Sequence, residues 1–136
     1  MNRLRALTSP GEARAVLRFA LVGLANTLLY LALCFALDGL TTLPSTVINT
    51  AAMSIGLVAS YLGHARFTYR GSQAHRQGGP RFVAATAAIF ASAAAVQWLA
   101  VHSGMPPRLS YLLVALWYPA ASFAVHHFWT FRRGRA

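Results

Sequence analysis

Four long apolar stretches dominate the chain, and charged residues are confined to its two ends and to the short interruptions between the stretches. The stretches cover residues 19–37, about 43–63, 82–101 and about 109–131. An α-helix needs about 20 apolar residues to cross the roughly 30 Å of hydrocarbon in a bilayer. The pattern therefore predicts four transmembrane helices, and the expected fold class is an all-α integral membrane bundle.

The interruptions between the stretches are too short to hold a further domain. Asp38 and Gly39 begin the first interruption and predict a turn. Residues 71–80 are rich in glycine and polar residues, which predicts a flexible linker between two hairpins. We expect the first stretch to be a retained helix, because it is longer than the apolar core of a signal peptide. One membrane domain over residues 1–136 is the predicted organisation.

The second half of the chain repeats the first. Residues 59–70 and 121–132 align without a gap and share an alanine, a serine, a histidine, a threonine and an arginine at equal spacing. An Arg-Phe pair opens both halves, at residues 18–19 and 81–82. Each unit holds two spans, so both units enter the membrane from the same side and form a parallel repeat. The predicted repeats cover about residues 14–70 and about residues 81–133.

The composition excludes most soluble functions. Hydrophobic residues make up 57% of the chain and charged residues only 10%, against about 25% charged residues in an average soluble domain. The only acids are Glu12 and Asp38, so no carboxylate pair is available for acid–base chemistry. No phosphate-binding loop and no metal-ligand spacing is present in the sequence. We predict no catalytic residue, no cofactor and no metal, and we expect the single Cys34 to pack as a small apolar residue.

The basic residues indicate the orientation in the membrane. The net charge is +10 and comes from arginine alone. Every arginine except Arg108 falls at the N-terminus, in the loop after the second stretch or at the C-terminus. The positive-inside rule then predicts that both termini and the middle loop are cytoplasmic. No basic face stands on a polar domain, so we expect no nucleic-acid partner.

Three segments resemble a known family. Residues 18–27 read Arg-Phe-Ala-Leu-Val-Gly-Leu-Ala-Asn-Thr, and residues 60–69 and 122–131 close the second and fourth stretches with related motifs. Over about residues 14–133 the chain is similar to the GtrA-like family of small four-span bacterial membrane proteins. The resemblance implies the bacterial inner membrane and a part in cell-surface polysaccharide synthesis. Its implied activity is translocation of a polyprenyl-phosphate-linked sugar, and its implied alternative is a non-transporting anchor or accessory subunit of a polyprenyl-phosphate glycosyltransferase.

A protein that moves such a lipid needs a cationic site for its phosphate. Guanidinium groups bind phosphate through two parallel hydrogen bonds. The alternative is that the arginines only set topology and reach the anionic headgroups of membrane lipid. The candidate phosphate-binding residues lie at the predicted cytoplasmic ends of the spans: Arg18, Arg66, Arg70, Arg81 and Arg132.

Polar residues within or beside the spans could form a path for the sugar. Amides and hydroxyls at membrane depth usually pair across helices, and that interpretation stands beside the path. Histidines at equivalent repeat positions could bind phosphate, carry protons or simply face the interface. The candidate path residues are Asn26, Thr27, Asn49, Gln97, His64 and His126.

Two further expectations concern the assembly of the protein and a competing class of transporter. Four helices enclose little volume, so we expect a homo-oligomer, and the resemblance implies a membrane glycosyltransferase as partner. A small proton-coupled multidrug exporter also has four short spans. Such an exporter needs a membrane carboxylate in its first helix, where this chain has only Asn26 and Thr27 at comparable depth.

Overall fold

A computed structural model of the chain describes residues 10–63, 66 and 75–125. Four helices make up this part of the chain, and it contains no strand. The all-α bundle predicted from the sequence is confirmed. The helices are α1 (Pro10–Leu40), α2 (Ser45–Gly63), α3 (His75–His102) and α4 (Pro107–Val125).

All four helices are long and apolar enough to cross a membrane. The candidate spans are Ala20–Leu40, Ser45–Gly63, Val83–His102 and Pro107–Val125. They agree with the predicted stretches to within a few residues at every end that the structure describes. The protein is therefore a multi-pass membrane protein.

The ends of two helices differ from the sequence expectations. Helix α1 runs through Asp38 and Gly39 to Leu40, so the turn predicted at Asp38 was wrong and begins at Thr41 instead. At the edge of hydrocarbon every backbone group needs a partner, which favours continuing the helix. Helix α3 begins at His75, so residues 75–80 of the predicted linker are helical, and residues 71–74 lie outside the described part.

Two tight turns form two antiparallel helical hairpins. Residues 41–44 join α1 to α2, and the Pro44 carbonyl accepts hydrogen bonds from the Val47 and Ile48 amides at 2.9 and 3.1 Å. Residues 103–106 join α3 to α4, where Gly104 has a φ of +90°. Its amide donates to the Val101 carbonyl at 3.0 Å, which closes α3 with the left-handed residue that glycine adopts without strain.

The hairpins pack side by side around one small core. Contacts join α1 to α2 and α3 to α4 most extensively, and also α1 to α4 and α2 to α3. Small core residues let the backbones approach closely, and Cys34 is fully buried among them, as predicted. The core residues are Tyr30, Cys34, Ile48, Ala52, Met53, Ala93, Tyr111, Val114 and Ala115.

The outer surface of the bundle is apolar. On α1 the side chains of Leu17, Leu21, Leu24 and Leu28 are 55–58% exposed. In water such a surface would be unfavourable. In a bilayer this surface faces the lipid tails. The polar groups inside the bundle are then the features that need a functional or structural explanation.

Candidate functional site

Arginine side chains mark one end of the bundle. Arg18 is exposed on α1, two residues before the span that begins at Ala20. Arg66 is also exposed and follows α2 by three residues. Because α1 and α2 are antiparallel, both arginines lie at the end opposite Asp38. We call these two ends of the bundle the Arg18 end and the Asp38 end.

The start of α3 also lies at the Arg18 end. Arg108, at the start of α4, contacts Asp38, so α4 begins at the Asp38 end and α3 ends there. Arg81 is on α3 two residues before its span, and its side chain lies outside the described residues. The structure thus brings the backbone positions of three predicted arginines to one end. The remaining predicted residues at the span ends lie outside the described part: Arg70, Arg132, His64 and His126.

Asn49 stabilises the first hairpin. Its side chain is 1% exposed, and the Tyr30 hydroxyl of α1 donates to Asn49 Oδ1 at 2.6 Å. Asn49 Nδ2 donates to Met53 Sδ at 3.3 Å. Both polar atoms of the amide therefore have protein partners, which supports the interhelical interpretation for this residue.

Gln97 has the corresponding place in the second hairpin. Its Nε2 donates to Ser110 Oγ of α4 at 3.4 Å, and Ser110 Oγ donates to the Pro107 carbonyl at 2.6 Å. Trp117 Nε1 adds a second link by donating to Ser92 Oγ at 3.1 Å. Each hairpin is thus tied by hydrogen bonds between side chains at membrane depth, where such bonds contribute about 0.6–2 kcal/mol each.

Asn26 differs from the other two amides. Its Oδ1 is buried and has no hydrogen-bond partner among the described residues. The neighbouring Thr27 hydroxyl donates to the Gly23 carbonyl of its own helix at 3.0 Å. Of the predicted path residues within the spans, Asn26 is the one whose acceptor remains open.

A small cavity lies beside Asn26. It lies between α1, α2 and α4, is partly open to the surface, has a volume of about 20 Å³ and is bordered by Asn26, Tyr30, Gly56, Ala115 and Tyr118. A volume of about 10–15 Å³ suffices for one water molecule. The cavity is therefore the size of a water and far smaller than a hexose.

An ion pair joins the two hairpins at the Asp38 end. Arg108 Nε donates to Asp38 Oδ2 at 3.0 Å. Tyr111, one turn along α4, is fully buried, and its hydroxyl has no hydrogen-bond partner in the described structure. The pair links α1 to α4 at this end, together with the edge-to-face contact of Phe35 and Tyr111, whose ring centroids are 6.3 Å apart.

We expect Arg108→Ala to have a small effect on stability. The Arg108 side chain is 66% exposed, and exposed ion pairs contribute about 0–1 kcal/mol because water screens them. The melting temperature in detergent should fall by no more than about 3 °C. Arg14→Ala, which removes an exposed arginine from the other end, is the control, and a much larger fall for Arg108→Ala would show that the pair holds the hairpins together.

Sequence reasoning missed several residues of this interior. Tyr30 was not singled out, and Gly56 was expected only to let helices pack closely, although both border the cavity. One pattern could have found the polar face of α1: Asn26, Tyr30, Cys34 and Asp38 recur at intervals of four, which places them on one side of a helix.

The family comparison agrees with this architecture. A model of the GtrA/DPMS transmembrane domain matches residues 18–131, which include all four spans. The chain has no significant match among curated proteins or among solved structures. The match begins at Arg18, the residue that opens the resembling motif. The chain belongs to the GtrA/DPMS transmembrane-domain family.

Proposed function

We propose that the protein translocates a polyprenyl-phosphate-linked sugar from the inner to the outer leaflet of the bacterial cytoplasmic membrane, for synthesis of cell-surface polysaccharide. The observation that carries this proposal is the family match over residues 18–131. It agrees with the four spans and with the scarcity of acidic residues in the chain. The role is one of binding and movement and needs no enzymatic step.

The phosphate is the part of the lipid that most needs a protein partner. A charge placed in hydrocarbon is costly unless it is paired. Arg18 and Arg66 lie exposed at the same end of the bundle, and we place the phosphate in the headgroup region at that end. Their forked donors suit its oxygens. Arg70, Arg81 and Arg132 complete the proposed phosphate-binding set.

The proposed polar path begins at Asn26 and Thr27, above the Arg18 end. His64 and His126 add polar groups near that end. Asn49 and Gln97 belong to the path only as the residues that hold each hairpin closed, since both polar atoms of the Asn49 amide and Nε2 of Gln97 already have partners. The positive-inside rule supports a cytoplasmic Arg18 end and cytoplasmic termini.

The size of the cavity favours a second candidate function. A space of about 20 Å³ does not admit a sugar headgroup. Passage therefore requires either a homo-oligomer with a path between copies or a larger opening of the bundle. Without either, the protein acts as an accessory subunit that anchors a polyprenyl-phosphate glycosyltransferase and holds its lipid product.

Deletion of the gene separates the two functions. If the protein translocates the lipid, deletion should leave synthesis of lipid-linked sugar intact, and the unused lipid should accumulate while outer-surface modification is lost. If it anchors the enzyme, the lipid-linked sugar itself should disappear. Thin-layer analysis of radiolabelled membrane lipids measures this, with the plasmid-borne wild-type gene as control. Normal surface modification after deletion would contradict both.

A further inference from the structure

The cavity between α1, α2 and α4 is bordered by a buried acceptor that lacks a donor among the described residues. Asn26 Oδ1 is buried without a partner in the described structure. Pro119 lies inside α4 and has no N–H, so the Ala115 carbonyl four residues earlier lacks its usual helical donor. Ala115 borders the same cavity as Asn26. One open acceptor, Asn26 Oδ1, and one residue whose carbonyl lacks its helical donor, Ala115, therefore border the same small space.

The hydroxyls of α1 that border the cavity do not supply the missing donor. The Tyr30 hydroxyl donates to Asn49 Oδ1 at 2.6 Å, and the Thr27 hydroxyl donates to the Gly23 carbonyl at 3.0 Å. No charged side chain borders the cavity, so an ion would be unpaired there. A neutral group with an O–H fits both the open Asn26 acceptor and the volume.

Gly56 creates the space beside Asn26. A Cβ at Gly56 would lie 3.3 Å from Asn26 Oδ1 and 3.5 Å from Asn26 Nδ2. An alanine at this position would press on the amide and narrow the cavity without removing a polar atom. Gly23, also in a helix interior, has nothing within 4 Å of its Cβ position, which makes Gly23→Ala a matched control.

We propose that this cavity is a binding site for a single neutral O–H donor, with Asn26 Oδ1 as its acceptor. In the lipid-free protein the donor is one water molecule, and a hydroxyl of the sugar headgroup replaces it when the lipid binds. The second half of this proposal rests on the proposed function. It assigns recognition of the sugar to Asn26 and Gly56, separately from recognition of the phosphate by the arginines.

Whether the melting temperature falls or rises on substitution of Asn26 tests whether the site is occupied. Asn26→Leu removes the acceptor together with the amide N–H donors and keeps the branched shape of the side chain. An acceptor bonded to water stabilises the protein, so the melting temperature of the lipid-free variant in detergent should fall, by about 3–6 °C. A rise would mean that Asn26 Oδ1 has no partner at all, because removing an unsatisfied buried polar group is favourable, and would overturn the proposal.

Two lipid probes test which donor binds. Undecaprenyl methyl phosphate is a phosphodiester without a sugar, and undecaprenyl-phosphate glucose has the same single negative charge and adds the sugar. We expect the purified wild-type protein to bind the glucose lipid about two- to tenfold more tightly, the range for one hydrogen bond. Gly56→Ala should bring this ratio to about one and leave the affinity for undecaprenyl methyl phosphate unchanged, whereas Gly23→Ala should keep the ratio.

The outcomes separate this site from the proposed function. The headgroup assignment would be overturned if Gly56→Ala left the ratio of the two lipid affinities unchanged, or if this ratio were one in the wild type. Water would then remain as the occupant of the cavity. If neither lipid bound the wild-type protein, this would count against the proposed function itself. The Asn26→Leu measurement would then still decide the water site, because it uses no lipid.

Discussion

Arg18→Ala should slow translocation of a polyprenyl-phosphate sugar about ten- to hundredfold. A hydrogen bond to a charged group contributes about 1.5–3 kcal/mol, which corresponds to that range. Arg18 is exposed at the end of the bundle where the chain carries Arg66, and the family match begins at this residue. The rate is measured in liposomes that contain equal amounts of purified wild-type or variant protein.

Arg14 offers a close control for this variant. It is exposed on the same helix one turn away, and it lies outside the matched residues 18–131. Arg14→Ala changes the net charge and the topology determinants by the same amount as Arg18→Ala. Equal rates in the two variants would mean that the arginines act only through bulk charge and orientation, and would remove Arg18 from the proposed phosphate site.

Asn49→Leu should destabilise the protein by about 1–3 kcal/mol. The Tyr30 hydroxyl donates to Asn49 across the first hairpin at 2.6 Å, and the substitution leaves that buried hydroxyl without an acceptor. The melting temperature in detergent should fall by several degrees. Thr50→Val, which removes a hydroxyl bonded only to its own helix at Thr46, is the control and should change little.

A double variant shows whether the bond or the packing is responsible. Replacing both partners by apolar residues can be nearly neutral, because no polar group is left unpaired. Tyr30→Phe combined with Asn49→Leu should therefore recover most of the stability that Asn49→Leu loses. If the double variant is as unstable as the single one, the effect comes from volume in the core and not from the hydrogen bond.

The sequence was sufficient to predict the spans, because a bilayer imposes one dominant requirement. A segment must be apolar and long enough to satisfy its own backbone, and both properties can be counted along the chain. Asp38 and Gly39 misled the prediction because they favour turns in water. At the end of α1 the helix continues past them to Leu40, and Asp38 pairs with Arg108.

The partners of the interior polar groups could not be predicted in the same way. Whether Asn49 meets Tyr30 or lines an open path depends on how α1 and α2 are rotated about their axes. Hydropathy carries little information on that rotation, because the lipid-facing and core-facing sides of these helices are both apolar. The closeness of Gly56 to Asn26 likewise needs the register between two helices. The arginines were easier to place, since chain order and span number alone bring Arg18 and Arg66 to one end.

The most direct test of the account is transport by the protein alone. Purified protein is reconstituted into liposomes with undecaprenyl-phosphate glucose, and a membrane-impermeant sugar oxidant reports how fast inner-leaflet lipid becomes accessible. The account predicts faster access than in protein-free vesicles, with the acceleration lost in Arg18→Ala and kept in Arg14→Ala. Access no faster than in protein-free vesicles, with other sugars also tried, would contradict translocation and favour the accessory-subunit function.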